Sequence, residues 1–429
     1  MIAVLTDRSM QDQLQLADEL LGRREVKKAD VVIAKAIRAA TTPEDRAACL
    51  ICRAQARLLS ARPEDALDDV TAARALRQDS EADPQLMELE ADASLARFEL
   101  ATVGFADRHD VAHAREIYQQ ILDQFPFYEN LGWVHYQMGR ALLTDNKVAE
   151  SAQYFHDGLF NASRNPALTA YCYERLAFAN YYEARDLHRA LAFINKAVDT
   201  YPAQEDRRWL VQVHVLRSRI LRDMGRQPQA LRAAETALQV ASGNSGGSEN
   251  KSGLAEAYLT TGELLFEMDG RERDVITYLQ QFTQLARKPL GVDVTWSRVH
   301  EMLGDSYFKS GQYVAAANAY QGALQYNPYH PWETSLHYRI ARCYYQQADY
   351  ERTVQSLRRM MEVAQADGQP VSDYRVFDIL GNAFFALARY HEALDAYRQA
   401  LQMAPPNAVN LDKIRTYHDY AADFCGNAR

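Results

Sequence analysis

The clearest chemistry-bearing spacing in the chain is Cys49-x-x-Cys52, two thiols at the separation used by metal and redox sites. No second cysteine pair follows, and no histidine pair stands at zinc-finger distance from this one. The pair lies in residues 47–59, which read as a helix. Both thiols are therefore expected to fill core space beside Ala48 and Ala54. His109, Asp110 and His113 form a second cluster. The two histidines, four residues apart, can share one helix face, and the expected arrangement is a surface cluster where a loop around 104–110 enters a helix. A third candidate, Gly243-Asn244-Ser245-Gly246-Gly247, has the glycines of a phosphate cradle but neither a preceding strand nor a following lysine. It reads as a linker. G-x-x-x-x-G-K-[ST], G-x-G-x-x-G and H-E-x-x-H are absent, and nothing resembles a nucleophile elbow. The expectation is a non-enzymatic protein with no catalytic residue, metal site or cofactor.

The elements that carry these residues repeat. Residues 297–330 hold Leu303, Gly304, Tyr307, Gly311, Tyr313, Ala316, Tyr320, Ala323 and Pro328 in an order of large, small and large side chains. Two antiparallel helices pack closely only where small residues let their backbones approach, which is the place of Gly304 and Ala323. Pro328 ends the second helix because it cannot donate the next helical hydrogen bond. The order returns in residues 374–407, with Phe377, Leu380, Gly381, Phe384, Tyr390, Ala393, Tyr397, Ala400 and Pro405. Residues 334–370 carry it with a longer tail.

These three copies resemble tetratricopeptide repeats, which are 34-residue helix–turn–helix units. Weaker copies span 10–43, 47–80, 132–166, 170–202, 211–242 and 255–288, and the most irregular spans 84–127. About ten repeats result. Residues 410–424 read as a closing helix with a polar side, as the end of a stack requires. The predicted fold is all-α, an α-solenoid with a right-handed superhelix. Its N-terminal array covers 10–242 and its C-terminal array 254–407, followed by a cap and tail over 408–429. The Gly/Ser-rich stretch 243–253 between the arrays is either an elongated loop in a continuous stack or a hinge.

Composition sets limits on function. With 48 basic and 57 acidic residues the 429-residue chain has a formal charge of −9, a poor balance for general nucleic-acid or anionic-membrane binding. No run of 18 apolar residues suggests a membrane span. Five scattered cysteines and an N-terminus unlike a signal peptide fit a cytoplasmic protein.

The resemblance implies a concave groove lined by first-helix positions, where a peptide or helix of another protein docks. Carried onto this chain, those positions are Trp133, Tyr136, Arg140, Tyr171, Glu174, Phe178 and Tyr181 in the N-terminal array. In the C-terminal array they are Arg298, Glu301, Asp305, Phe308, Tyr338, Arg342, Arg375, Asp378 and Asn382. Aromatic rings interleaved with arginine suit an interaction hot spot. The Lys/Asn clamp by which one subgroup grips chaperone tails is not matched, since Glu301, Asp305, Arg339, Arg375 and Ile379 depart from it. A scaffold or adaptor is thus the leading expectation. The alternatives are a sensor whose superhelix changes on ligand binding and controls an effector, and an enzyme with a site near His109–His113. Exposed terminal repeats can self-associate, and residues 1–9 are the expected surface for a homo-oligomer.

Overall fold

A computed structural model describes residues 9–77, 82–101, 107–162, 165–202, 208–243 and 251–427. These residues form helices and connecting turns and contain no strand. The chain divides into two compact units, Met1–Asn244 and Ser245–Arg429. The first holds α1 (Met10–Gly22), α2 (Val26–Ala39), α3 (Pro43–Leu59), α4 (Pro63–Leu76), α5 (Pro84–Leu100), α6 (Arg108–Gln124), α7 (Leu131–Thr144), α8 (Val148–Asn161), α9 (Pro166–Tyr182), α10 (Leu187–Thr200), α11 (Arg208–Asp223) and α12 (Gln227–Gly243). The second holds α13 (Lys251–Phe266), α14 (Glu272–Leu285), α15 (Val294–Lys309), α16 (Tyr313–Tyr326), α17 (Glu333–Gln346), α18 (Tyr350–Ala366), α19 (Tyr374–Ala386), α20 (Tyr390–Met403) and α21 (Leu411–Asn427).

Each unit is a stack of antiparallel helix hairpins, an α-solenoid. Consecutive helices pack most closely, and within each unit the odd-numbered helices also touch one another. The first helices of successive hairpins therefore share one continuous face. In unit 2, α21 packs on α20 and α19 and buries Ile414 and Ala421 against the last hairpin.

The repeat pattern works as steric complementarity. A Cβ at Gly304 would lie 2.5 Å from the Tyr320 ring, and one at Gly381 would lie 2.6 Å from the Tyr397 ring. Each glycine on a first helix is the socket for an aromatic ring on the second, and both rings are almost fully buried. The turn between the helices is equally regular. Gly311, Ala348 and Ala388, at matching places in three hairpins, have φ of 74°, 56° and 57°. Only glycine adopts that left-handed backbone without steric cost. The alanines hold it because the packed helices on either side leave the chain no other path.

Two sequence expectations differ in detail. The loop expected around 104–110 is shorter at its end, because α6 already begins at Arg108 and Asp107 caps it through the His109 N–H at 2.9 Å. Asp110 is thus a helical residue, 6% exposed, and accepts from Arg97 Nε at 2.8 Å. Of the Gly/Ser-rich stretch, residues 244–250 lie outside the described residues. Gly243 closes α12, whose last turn is held by buried Ala241, and residues 251–253 open α13.

Candidate functional site

In unit 1 the shared face of first helices opens into a cleft of about 640 Å³ between α1, α3, α5 and α7. Leu14, Leu21, Ile51, Leu58 and Leu89 supply its apolar wall. Asp18, Glu88, Asp92, Asn130 and Trp133 supply polar groups, and Arg77, which is paired with Asp83, also lines it. Glu88 and Asp92 are four residues apart on α5, so both carboxyls leave the same helix face.

The pair is held by neutral donors. Asp92 accepts from the Tyr118 hydroxyl at 2.6 Å, Trp133 Nε1 at 2.8 Å and Gln137 Nε2 at 2.9 Å. Glu88 accepts from Asn130 Nδ2 at 2.9 Å and from the Tyr128 hydroxyl. Among the described residues no Lys, Arg or His lies within ion-pair distance of either carboxyl. The nearest guanidinium of this layer, Arg140, donates to Gln137 Oε1 at 2.8 Å and to Glu99 at 2.6 and 2.5 Å. Burial pushes Glu88 up to about 8, helped by the neighbouring Asp92 charge and opposed by Tyr128 and Asn130. Burial likewise raises Asp92, against the hydrogen bonds from Tyr118, Trp133 and Gln137 and the more distant Arg140 charge. Asp18, across the cleft, is raised by burial too. The apolar wall and the second carboxyl both disfavour a charged Glu88, and no cation stands within ion-pair distance to oppose them among the described residues.

Cys52 also faces this cleft and donates weakly to Asp18 Oδ1 at 3.5 Å. Burial raises both Cys49 and Cys52, and the Asp18 charge raises Cys52 further. Both thiols stay protonated, which suits core filling better than thiolate chemistry. His109 and His113 stack on α6 with ring centroids 6.3 Å apart, and His113 Nε2 lies 3.1 Å from Glu90 Oε1.

The residues expected to line the groove divide by exposure. Trp133 borders the cleft through its indole. Tyr136, Glu174 and Tyr181 are only 8%, 5% and 5% exposed, which corrects the expectation that they present their side chains to a partner. Tyr136 sits among the rings of Trp133, Phe155 and Tyr171. Glu174 is paired with Arg175 at 2.6 Å, and Tyr181 donates to Asp223 Oδ2 at 2.6 Å. Tyr171 packs edge-to-face with Trp209 and tilted against Tyr201, and Phe178 packs tilted against Tyr182. Arg140 is a bracket between α5 and α7.

In unit 2, Glu301 and Asp305 repeat the spacing of Glu88 and Asp92, and here a cation joins them. Arg339 Nη1 donates to Glu301 at 3.1 Å and to Asp305 at 2.9 and 3.1 Å. The Tyr320 hydroxyl donates to Asp305 at 2.6 Å. His330 Nε2 lies 3.7 Å from Glu301. Asp378 accepts from Asn382 Nδ2 at 2.9 Å and from Asn410, and burial raises it. Of the three arginines expected to line the C-terminal groove, Arg375 grips Asp373 through two nitrogens at 2.8 to 3.0 Å, and Arg298 lies 3.8 Å from Glu263. Arg342 is exposed and has no carboxylate partner among the described residues. Its guanidinium lies 4.7 Å from the Phe308 centroid and 5.9 Å from that of Tyr338. The geometry thus assigns the trio unequal surroundings.

Sequence reasoning singled out Glu301, Asp305 and Trp133 but missed Glu88, Asp92, Asn130 and Gln137. The signal was present. Asp92 and Tyr118 are separated by 26 residues where Asp305 and Tyr320 are separated by 15. Asp92 and Gln137 are separated by 45 where Asp305 and Arg339 are separated by 34. Both offsets are 11 (26 − 15 and 45 − 34), extra length shared between the longer α5–α6 connection and the adjoining ends of α5 and α6.

Helix hairpins with a glycine socket, a left-handed turn residue and stacked first helices define a helical-repeat scaffold. The family model described as tetratricopeptide repeat matches residues 307–371 and again 374–407. Residues 307–407 of unit 2 thus carry tetratricopeptide repeats. No curated protein matches it. Similar solved structures include the C-terminal part of a TPR repeat-containing protein from Cytophaga hutchinsonii, 18% identical, covering 66% of this chain and 98% of that one with a TM-score of 0.43. A tetratricopeptide repeat protein from Parabacteroides merdae is 12% identical and covers 68% and 98%, with a TM-score of 0.37. YrrB, described as a TPR protein with an unusual peptide-binding site, is 13% identical and covers 50% and 95%, with a TM-score of 0.36. All three scores fall below 0.5, and nothing about the site follows from them. Repeats of this family serve protein interaction in general and are generally non-enzymatic. Among the described residues no helix is long and apolar enough to cross a membrane.

Proposed function

We propose that this chain is a non-enzymatic adaptor that holds a segment of another protein against the first-helix face of unit 1. The observation that carries the reading is the open cleft between α1, α3, α5 and α7, with an apolar wall on one side and hydrogen-bonding groups on the other. A cleft of that size accepts one or two side chains of an extended or helical segment, with aliphatic contact giving affinity and the polar floor giving register. Unit 2 offers a second contact of opposite sign, since the exposed Arg342 guanidinium, stacked on aromatic rings, is set to grip a carboxylate. Cytoplasmic residence accords with the free cysteines.

Affinity purification of the full chain, followed by mass spectrometry, identifies the partner. Ala48→Trp then fills the cleft from α3 without touching its carboxyls. Partner recovery is expected to fall about tenfold or more, the scale on which ~1.4 kcal/mol of lost contact acts. Unchanged recovery by a folded Ala48→Trp protein contradicts docking at the cleft.

A further inference from the structure

The carboxyl pair in the unit 1 cleft has an internal template in unit 2, and the two differ in the groups that close the pair. In unit 2 the two acids of a first helix, the tyrosine of the second helix and a residue of the next first helix form one group, Glu301, Asp305, Tyr320 and Arg339. In unit 1 the corresponding group is Glu88, Asp92, Tyr118 and Gln137. The constant offset of 11 residues makes Gln137 the counterpart of Arg339. Where unit 2 places a guanidinium across both carboxylates, unit 1 places a neutral amide on one of them and leaves the other to Asn130 and Tyr128. The side where the two carboxyls border the cleft is open to a partner.

We infer that the Glu88–Asp92 pair receives a guanidinium from outside, the side chain of an arginine in the bound segment, which supplies to unit 1 the cation that Arg339 supplies to unit 2. Three observations converge on this guest: the cleft, the two inward carboxyls with no cation within ion-pair distance among the described residues (Arg77 of the lining is taken by Asp83), and the internal copy that holds a guanidinium on the same acid spacing. The cleft's shape agrees. The aliphatic stem of an arginine lies along Leu89 and Ile51 while its head reaches Glu88 and Asp92, and the Trp133 indole, fixed by its bond to Asp92, borders the head. The inference rests on the cleft being the docking site, and it reverses the charge logic of a clamp that grips carboxylates.

The test uses the full chain and two small probes, N-acetyl-arginine amide and N-acetyl-citrulline amide, which differ in charge and hardly in shape. Binding is read by isothermal titration and by the fluorescence of Trp133, checked in Trp133→Phe. The arginine probe is expected to bind at least about tenfold more tightly than the citrulline probe, as charge-assisted pairing at a low-dielectric site requires. Glu88→Gln and Asp92→Asn should each lower its affinity by a similar factor. Gln137→Arg, which installs the internal cation, should abolish it. Equal binding of the two probes overturns the inference, as does unchanged affinity in a folded Glu88→Gln protein, whether or not Gln137→Arg folds. The two readings fail separately: a partner lost on Ala48→Trp with probes that bind alike removes only the arginine, and a partner unaffected by Ala48→Trp removes the docking site.

Discussion

Glu88–Asp92 on α5 and Glu301–Asp305 on α15 occupy the same place in two hairpins and live in opposite electrostatic conditions. Both pairs stand four residues apart on a first helix, and one acid of each accepts from a second-helix tyrosine at 2.6 Å. The unit 2 pair is closed by Arg339 and is a structural brace between α15 and α17. The unit 1 pair is closed by amides, two phenols and an indole, and its carboxyls are held above their usual range. The difference shows that a residue of the next helix decides whether such a pair is closed by a cation or by neutral donors. The backbone frame stays and the charge balance changes.

The largest effect should come from removing the brace. Arg339→Met leaves Glu301 and Asp305 without their cation and is expected to lose roughly 2–3 kcal/mol in denaturant unfolding, as lost charged hydrogen bonds at a half-buried site imply. Gln137→Met in unit 1 removes the amide's bond to Asp92 and the one it accepts from Arg140, leaves Arg140 its pairing with Glu99, and should lose less, about 1–1.5 kcal/mol. If the two substitutions cost the same, the contrast between the pairs fails.

The next effect is a pH dependence of opposite sign to the ordinary one. Glu88 has a folded value of about 8, above the ~4.3 of an unfolded glutamate, so the folded protein holds the extra proton between those limits. Its contribution to stability is complete below the unfolded value and is lost as pH rises through about 8. Asp92, raised in the same direction, adds to the trend. The groups facing the pair are Tyr118, Tyr128, Asn130, Trp133 and Gln137, with the charges of Glu129 and Arg140 beyond them. Melting temperature measured from pH 5 to 8.5 should therefore fall, and Glu88→Gln should flatten the fall. A stability that rises with pH, or a slope that Glu88→Gln leaves intact, breaks this half of the comparison.

Smaller effects separate frame from site. Ala388→Gly relieves a left-handed alanine at φ 57° and should stabilise by about 0.5–1 kcal/mol, the steric gain less the extra freedom of the unfolded glycine. Arg342→Glu, at an exposed position with no ion pair, should change stability by no more than about 0.5 kcal/mol. A larger loss would make Arg342 a fold residue and remove it from the binding surface.

Much of the frame was legible in the sequence. Gly304 and Tyr320, or Gly381 and Tyr397, announce themselves because a socket and its ring must recur at one spacing whenever two helices pack that closely. The site was less legible, for two physical reasons. Tyr136 and Tyr181 have the types of a binding surface, and only the packing of neighbouring hairpins shows that protein covers them. Glu88 and Asp92 lie in the most irregular repeat, where the longer connection after α5 displaces Tyr118 and Gln137 from the positions at which the pattern of residues 297–330 would place them. A carboxyl's importance also depends on which partner is missing, and Gln137 in place of arginine carries no signal until the two groups are superposed through the 11-residue offset.

The central claim is that unit 1 keeps a carboxyl pair with no internal cation. Its most direct test is a ¹³C NMR titration of the Glu88 side-chain carboxyl in the wild-type chain and in Gln137→Arg. The wild-type carboxyl should titrate near pH 8, and the arginine variant should bring it down toward the ordinary glutamate range. A wild-type Glu88 that already titrates near the ordinary ~4.3, with no response to Gln137→Arg, would contradict the account.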